Sequence, residues 1–143
     1  MNSREPTKSL GFLIVELARL MRRDFNARVS ELGLTQAQWR ALAHLSRMEG
    51  CKQVSLADHL EVKPITLTRL VDKLVESGWV ERLPDPHDRR AMRLHLTNKA
   101  RPLIRVMEAK ALETRGKAVQ GIREEEYRIL FNSLKKMKEN LMK

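Results

Sequence analysis

The sequence has a single cysteine, Cys51, only 4% aromatic residues and no long uninterrupted hydrophobic run. One cysteine excludes an internal disulfide framework and fits a reducing compartment. So small an aromatic share argues against a sandwich or barrel, whose strands are rich in aromatic and β-branched side chains. The apolar stretch Leu10 to Val15 is interrupted by Glu16, too early to span a bilayer, and Met1 to Pro6 lead into it without a cleavage-site pattern. No membrane association is expected, and the cytoplasm is the natural assignment. His44, His59, His87 and His95 show no metal-ligand spacing, with or without Cys51. A phosphate-cradling glycine loop, a nucleophile–base pair and a carboxylate pair are all missing. The sequence therefore predicts no metal, no cofactor and no enzymatic activity. Repeats, low-complexity segments and Pro/Gly-rich linkers are absent as well, so the 143 residues read as one domain.

What is present is charge and helical periodicity. The chain carries 28 basic and 18 acidic residues, a formal net charge of +10. That excess suits a polyanion, because each Lys or Arg meeting a phosphate releases condensed counterions. By itself it is weak evidence, since a well-solvated surface is also compatible with it.

Residues 9–32 place Leu10, Leu13, Ile14, Leu17, Leu20, Met21, Phe25 and Val29 on one helical stripe that Gly33 ends. Thr35 with Gln38 is a capping-box pattern for a second helix reaching about Met48. Cys51 to Val54 suggests a lone strand, and Ser55 with Asp58 a second capping box for a short helix through Leu60. Pro64 suits the first turn of a helix that buries Leu67, Leu70, Val71 and Leu74 and stops at Gly78. Two short alternating runs follow, Trp79 to Leu83 and Met92 to Leu96, around a polar, proline-rich tip. Thr97 is expected to cap a helix towards Ala118, and Gly121 to break it. Glu124, Glu125 and Glu126 open a last helix carrying Tyr127, Leu130, Phe131, Leu134, Met137 and Leu141. The expected fold is mainly α with a small β-hairpin wing (α+β). A winged helix-turn-helix lobe at about 35–96 lies between helical segments at about 9–32 and 98–143.

That order gives the residues a chemistry. A helix entering the major groove needs one buried face and an opposite face of small polar and basic residues. The helix after Pro64 presents Thr66, Arg69 and Lys73 there, with Ile65 and Thr68 at its flank. Thr can meet a thymine methyl or a phosphate, and Arg can fork onto guanine. An ordinary solvated face, with Arg69–Asp72 or Lys73–Glu76 pairs, is the competing reading. On the hairpin, His87, Asp88, Arg89 and Arg90 form the tip, and Arg82 and Arg93 stand on the stems. Adjacent arginines there fit a wing against the DNA backbone with one guanidinium in a narrow minor groove. Asp88 would orient an arginine, or simply form the turn.

Gly78-Trp79-Val80-Glu81-Arg82, Asp88-Arg89-Arg90-Ala91 and Leu94-His95-Leu96-Thr97 together resemble the signature of the MarR family of bacterial regulators. Thr66 to Leu74 resembles its recognition helix, and Ala100 to Ile104, Thr114 to Gly116 and Gly121-Ile122 resemble the SlyA branch. Ala100 stands where Gly is common, and Arg123 where a capping Ser is usual. The resemblance implies a homodimer with intertwined terminal helices, its two lobes straddling a pseudo-palindromic site in double-stranded DNA. Such a protein is on the nucleoid when bound. Independently, apolar stripes at both ends of a short chain offer a self-complementary interface. Packing on their own lobe is the other reading of those helices.

The resemblance also implies a small phenolic or carboxylate effector. Arg19 and Arg22 look similar to ligand-holding positions and are expected to face the neighbourhood of Gln38 and Trp39; a solvated or salt-bridged pair is the alternative. Cys51 reads as structural or incidental, with Lys52 lowering its pKa slightly. Two other functions stay open at this point, a protein-assembly module meeting an acidic partner and a nucleic-acid coat driven by charge.

Overall fold

The structure is a computed structural model that describes residues 9–143. The reading of Met1 to Pro6 lies outside the described residues. In chain order the elements are α1 (Leu10–Val29), α2 (Gln36–Arg47), α3 (Gln53–Leu60), α4 (Pro64–Glu76), β1 (Val80–Pro84), β2 (Met92–Leu96), α5 (Ala100–Ala118) and α6 (Glu124–Leu141). This is the mainly helical architecture with a two-stranded antiparallel wing that the sequence predicts.

Local chemistry explains most boundaries. Ser9 caps α1 by accepting the Phe12 N–H at 3.1 Å, and a single 3₁₀ turn (Ser30–Leu32) leads to Gly33 at φ +74°. The α2 capping box is complete: Thr35 Oγ1 accepts from Gln38 N at 3.2 Å and Gln38 Oε1 accepts from Thr35 N at 3.0 Å. Pro64 occupies the first turn of α4, where its missing N–H leaves no bond unmade. At α6 the N-cap Arg123 makes no side-chain bond to the backbone; its Nε donates to the Glu126 side chain at 2.7 Å instead.

Two local expectations are corrected. The third helix starts at Gln53, with Lys52 as an N-cap that makes no side-chain bond, so Ser55 and Asp58 form no capping box. The expected strand at Cys51 to Val54 is a single bridge, Lys52 to Arg93. Both follow from one tertiary contact. Leu94 N–H donates to Cys51 O at 2.9 Å, and Gly50 N–H donates to Leu94 O at 2.8 Å. The chain is tied to β2 until Lys52, whose carbonyl then starts the helix. Thr97 keeps the expected capping bond, three residues ahead of the first residue of α5. It accepts the Ala100 N–H and donates to Gly78 O, while α5 takes Lys99 as its N-cap.

The core lies inside the lobe. Leu42 and Leu45 of α2, Leu56 of α3, Leu67, Val71 and Leu74 of α4, and Val80 and Leu94 of the hairpin are fully buried. Phe25 and Val29 from α1 and Ile104 and Met107 from α5 close it from one side. Trp39 packs edge-on against Phe25 with centroids 4.6 Å apart. Burying each large aliphatic side chain contributes about 1.5–3 kcal/mol. β1 and β2 pair in register from Val80–Leu96 to Pro84–Met92, and this register puts Val80, Leu94 and Leu96 inside.

A polar clasp joins α1 to α5. Asp24 accepts from Arg28 at 2.7 Å, Thr114 at 2.8 Å and Lys117 at 3.2 Å. Those bonds, Arg28 first and Thr114 next, hold its carboxyl at about 2, below the ordinary 3.8. The outer faces of the end helices contrast with the core. Leu13, Leu17 and Leu20 of α1 are exposed, and α6 buries none of its residues, leaving Leu130, Phe131 and Leu134 in solvent.

Candidate nucleic-acid interface

α4 is amphipathic, and its burial orients it. With Leu67, Val71 and Leu74 locked in the core, the opposite side turns Thr66, Arg69 and Lys73 outward. Ile65, at the helix N-terminus, is 60% exposed. Neither the Arg69–Asp72 nor the Lys73–Glu76 pair forms, and among the described residues no ion pair engages Arg69 or Lys73. Both cations are therefore free to meet a phosphate or a base edge. Thr68 differs from its expected role. It is half-buried, and its hydroxyl donates to Pro64 O at 2.9 Å while accepting from Gln53 Nε2 at 3.0 Å.

The hairpin tip stands beside this face. A cleft of about 400 Å³ between α3, α4 and the hairpin is lined by Lys52, Gln53, Thr68, Asp72, Arg82 and Arg90, among others. His87, Asp88, Arg89 and Arg90 are all exposed, and no ion pair among the described residues engages Arg89 or Arg90. Among the described residues Asp88 orients no guanidinium. Its carboxylate accepts the Arg90 backbone N–H at 3.0 Å, because a side chain this short reaches its own turn first.

The group that shapes the tip is Asp85, which sequence reasoning passed over. Its side chain is only 2% exposed and takes Arg93 Nε at 2.8 Å. Its other oxygen accepts the backbone N–H groups of His87 at 2.8 Å and Asp88 at 3.1 Å. The His87 N–H, then Arg93, hold this carboxyl below the usual carboxylate range against the opposing effect of burial. Arg93 also donates to Gly50 O at 2.8 Å, tying the wing to the end of α2. The available signal was the Pro84-Asp85-Pro86 run, in which an Asp is placed to bond the backbone ahead of it.

Arg82 faces inward. Its Nε donates to Gln53 Oε1 at 3.1 Å and its Nη2 to Thr68 O at 3.2 Å, and Nη2 also meets Asp72 Oδ1 at 2.7 Å. The guanidinium expected on DNA thus bridges β1, α3 and α4.

The four expected effector residues have different surroundings. Arg19 pairs with Glu16 at 2.8 Å, and Arg22 is exposed. Gln38 serves the α2 capping box, and Trp39 is buried with its indole N–H on Asn26 Oδ1 at 2.8 Å. A cleft of about 520 Å³ lies beside the clasp, with Leu20, Met21, Arg23, Thr114 and Lys117 in its wall. Cys51 is half-buried, and burial pushes its thiol pKa up, against the expected effect of Lys52. Among the described residues no His, Cys, Asp and Glu cluster fits a metal ion, and no helix is long and apolar enough to cross a membrane.

Comparison with known proteins gives a consistent answer. The description of the MarR family matches residues 34–92. The transcriptional regulator PA3341 is 38% identical with a TM-score of 0.80, over 92% of this chain and 97% of that one. A MarR transcriptional regulator from Methanosarcina mazei Go1 is 32% identical with a TM-score of 0.83, over 93% and 96%. A MarR-family regulator from Listeria monocytogenes, solved in complex with a 26mer DNA, is 25% identical with a TM-score of 0.80, over 94% and 89%.

Proposed function

This chain belongs to the MarR family of transcriptional regulators, and from that premise we propose that it is a homodimeric, sequence-specific DNA-binding regulator. The observation that carries the reading is the α4 face. Thr66, Arg69 and Lys73 project outward with no ion pair among the described residues, beside a wing tip whose Arg89 and Arg90 are equally uncommitted. α4 enters the major groove. Ile65 and Thr66 meet methyl groups and phosphates near its N-terminus, and Arg69 forks onto a base edge. The wing lies over the adjacent minor groove, where Arg90 or Arg89 meets the negative potential and His87 flanks a phosphate.

Two copies assemble through the exposed apolar faces of α1 and α6, which a monomer leaves in water. A two-fold dimer places its recognition helices on half-sites about one helical turn (roughly 34–36 Å) apart. The resemblance of segments within residues 100–122 to the SlyA branch supports a SlyA-like assignment. A small phenolic or carboxylate effector is held by Arg22 and by Arg19, which exchanges Glu16 for the ligand, while Gln38 and Trp39 fix the helix behind them.

Selection of binding sites from a random duplex library, followed by affinity measured against salt on the winner and a scrambled duplex, tests the proposal. A two-fold-symmetric motif that binds far more tightly than the scramble is the expected result. Equal affinity and equal salt slope on both duplexes would leave a charge-driven coat or an assembly module instead.

A further inference from the structure

A two-stranded hairpin is marginal by itself, so the position of the wing depends on what anchors it. Asp85 and Arg93 fix its tip and its seam with the end of α2. Arg82 does something different, because its partners lie on the recognition helix itself. Thr68 and Asp72 stand one turn apart on α4, Gln53 stands on α3, and the guanidinium engages all three. Gln53 closes the loop by donating to Thr68 Oγ1. The Arg82 side chain is 24% exposed, and its charge is already matched by Asp72.

We propose that Arg82 is a positioning residue that locks the wing to the recognition helix, so that both reach the duplex as one body. It acts through Gln53, Thr68 and Asp72 rather than by touching phosphate. The inference rests on the DNA-binding reading above. Its physical basis is the planar fork of arginine, which presents several N–H groups in fixed directions and so holds acceptors on separate elements at a fixed separation. Two contact elements held in this way bind the operator without first being ordered. Sequence-indifferent binding, which needs only charge near phosphates, gains nothing from the lock.

The experiment compares Arg82→Lys and Arg82→Ala with the unaltered protein. Affinity is measured across salt on the duplex recovered by selection and on its scramble, and circular-dichroism melts check folding at the assay temperature. Both variants are expected to lose on the order of tenfold in operator affinity, with scrambled-duplex binding unchanged for Arg82→Lys. Lysine fails because it keeps the charge but cannot fork onto three partners. Wild-type operator affinity in Arg82→Lys would overturn the proposal. So would a uniform loss on both duplexes in Arg82→Ala with a salt slope smaller by about one, the mark of a lost phosphate contact. If the Arg82 variants melt below the assay temperature, Gln53→Ala takes their place. It is expected to give the same operator-only loss in milder form, and no loss there overturns the lock. An unaltered protein that binds both duplexes alike would be a separate result, overturning the regulator reading and the lock with it.

Discussion

The winged lobe and the two end helices obey opposite rules of burial. Within residues 36–96 nearly every large aliphatic side chain that is periodic with its element is inside, and the arginines near the hairpin root have partners. α6 has the same periodicity and buries nothing, and α1 buries only Phe25 and Val29 at its C-terminal end. Equal amphipathicity with unequal burial means the lobe is finished by its own chain, while the ends present a surface built for something else. A second copy is the occupant the proposal names. Under the proposed function the difference is also a division of labour: the closed part would hold the DNA face rigid, and the open part would set how many such faces act together.

The largest effect expected is on the lobe. Leu67→Ala removes a fully buried side chain from the inner face of α4 and should cost about 2–5 kcal/mol in urea unfolding. The paired change on α6, Leu130→Ala, should cost far less in a monomer; an equal loss at every protein concentration would erase the contrast between the regions. Next comes Phe131→Asp, which places a charge on the exposed face of α6. Sedimentation should show a halved mass, and operator affinity should fall about a hundredfold as two linked half-sites become independent. An unchanged mass would mean the ends are covered in some other way.

Smaller effects separate functions inside the lobe. Arg69→Ala should cost about 1–3 kcal/mol on the operator and relax preference at one position of each half-site, leaving the sedimentation mass alone. Arg90→Ala should instead weaken all duplexes and lower the salt slope by about one. Identical profiles for the two would end the proposed split between base reading and backbone contact.

The smallest effect concerns the joint between the regions. Asp24 is held at about 2 by Arg28, Thr114 and Lys117, so its depressed carboxyl stabilises the folded state above the unfolded value near 4. That contribution is lost as pH falls from about 4 through about 2. Asp24→Asn should lower stability at neutral pH and flatten this part of the acid-unfolding curve, so that the two proteins converge near pH 2. An unchanged acid limb would show that the clasp adds nothing there.

Much of this was legible in the residues. The Thr35/Gln38 box, Pro64 at the head of α4, the glycine after it and the alternation of Met92 to Leu96 are local signals, and local physics honours them. The outward set Thr66, Arg69 and Lys73 follows from helical period once Leu67, Val71 and Leu74 face in. The start of α3 was not legible, because Lys52 is held by Arg93, 41 positions away. Nor were the partners of Arg82, which lie 29 positions back at Gln53 and 14 back at Thr68. Thr68 is of the right type for DNA but is held by Gln53, 15 positions back, which no spacing rule names, whereas Asp88 takes the turn-forming role that its place in the sequence also allowed.

The sequence by itself therefore determined the order of elements, the inward and outward face of each, and the basic character of one of them. Periodicity and capping act within a few residues of chain, so they can be read from it. Only the tertiary structure decided which cations are free and which are clamped, where α3 begins, and that the apolar stripes of α1 and α6 stay uncovered. A side chain with several donors takes whichever acceptors folding brings within hydrogen-bond reach, and that depends on the packing of distant segments.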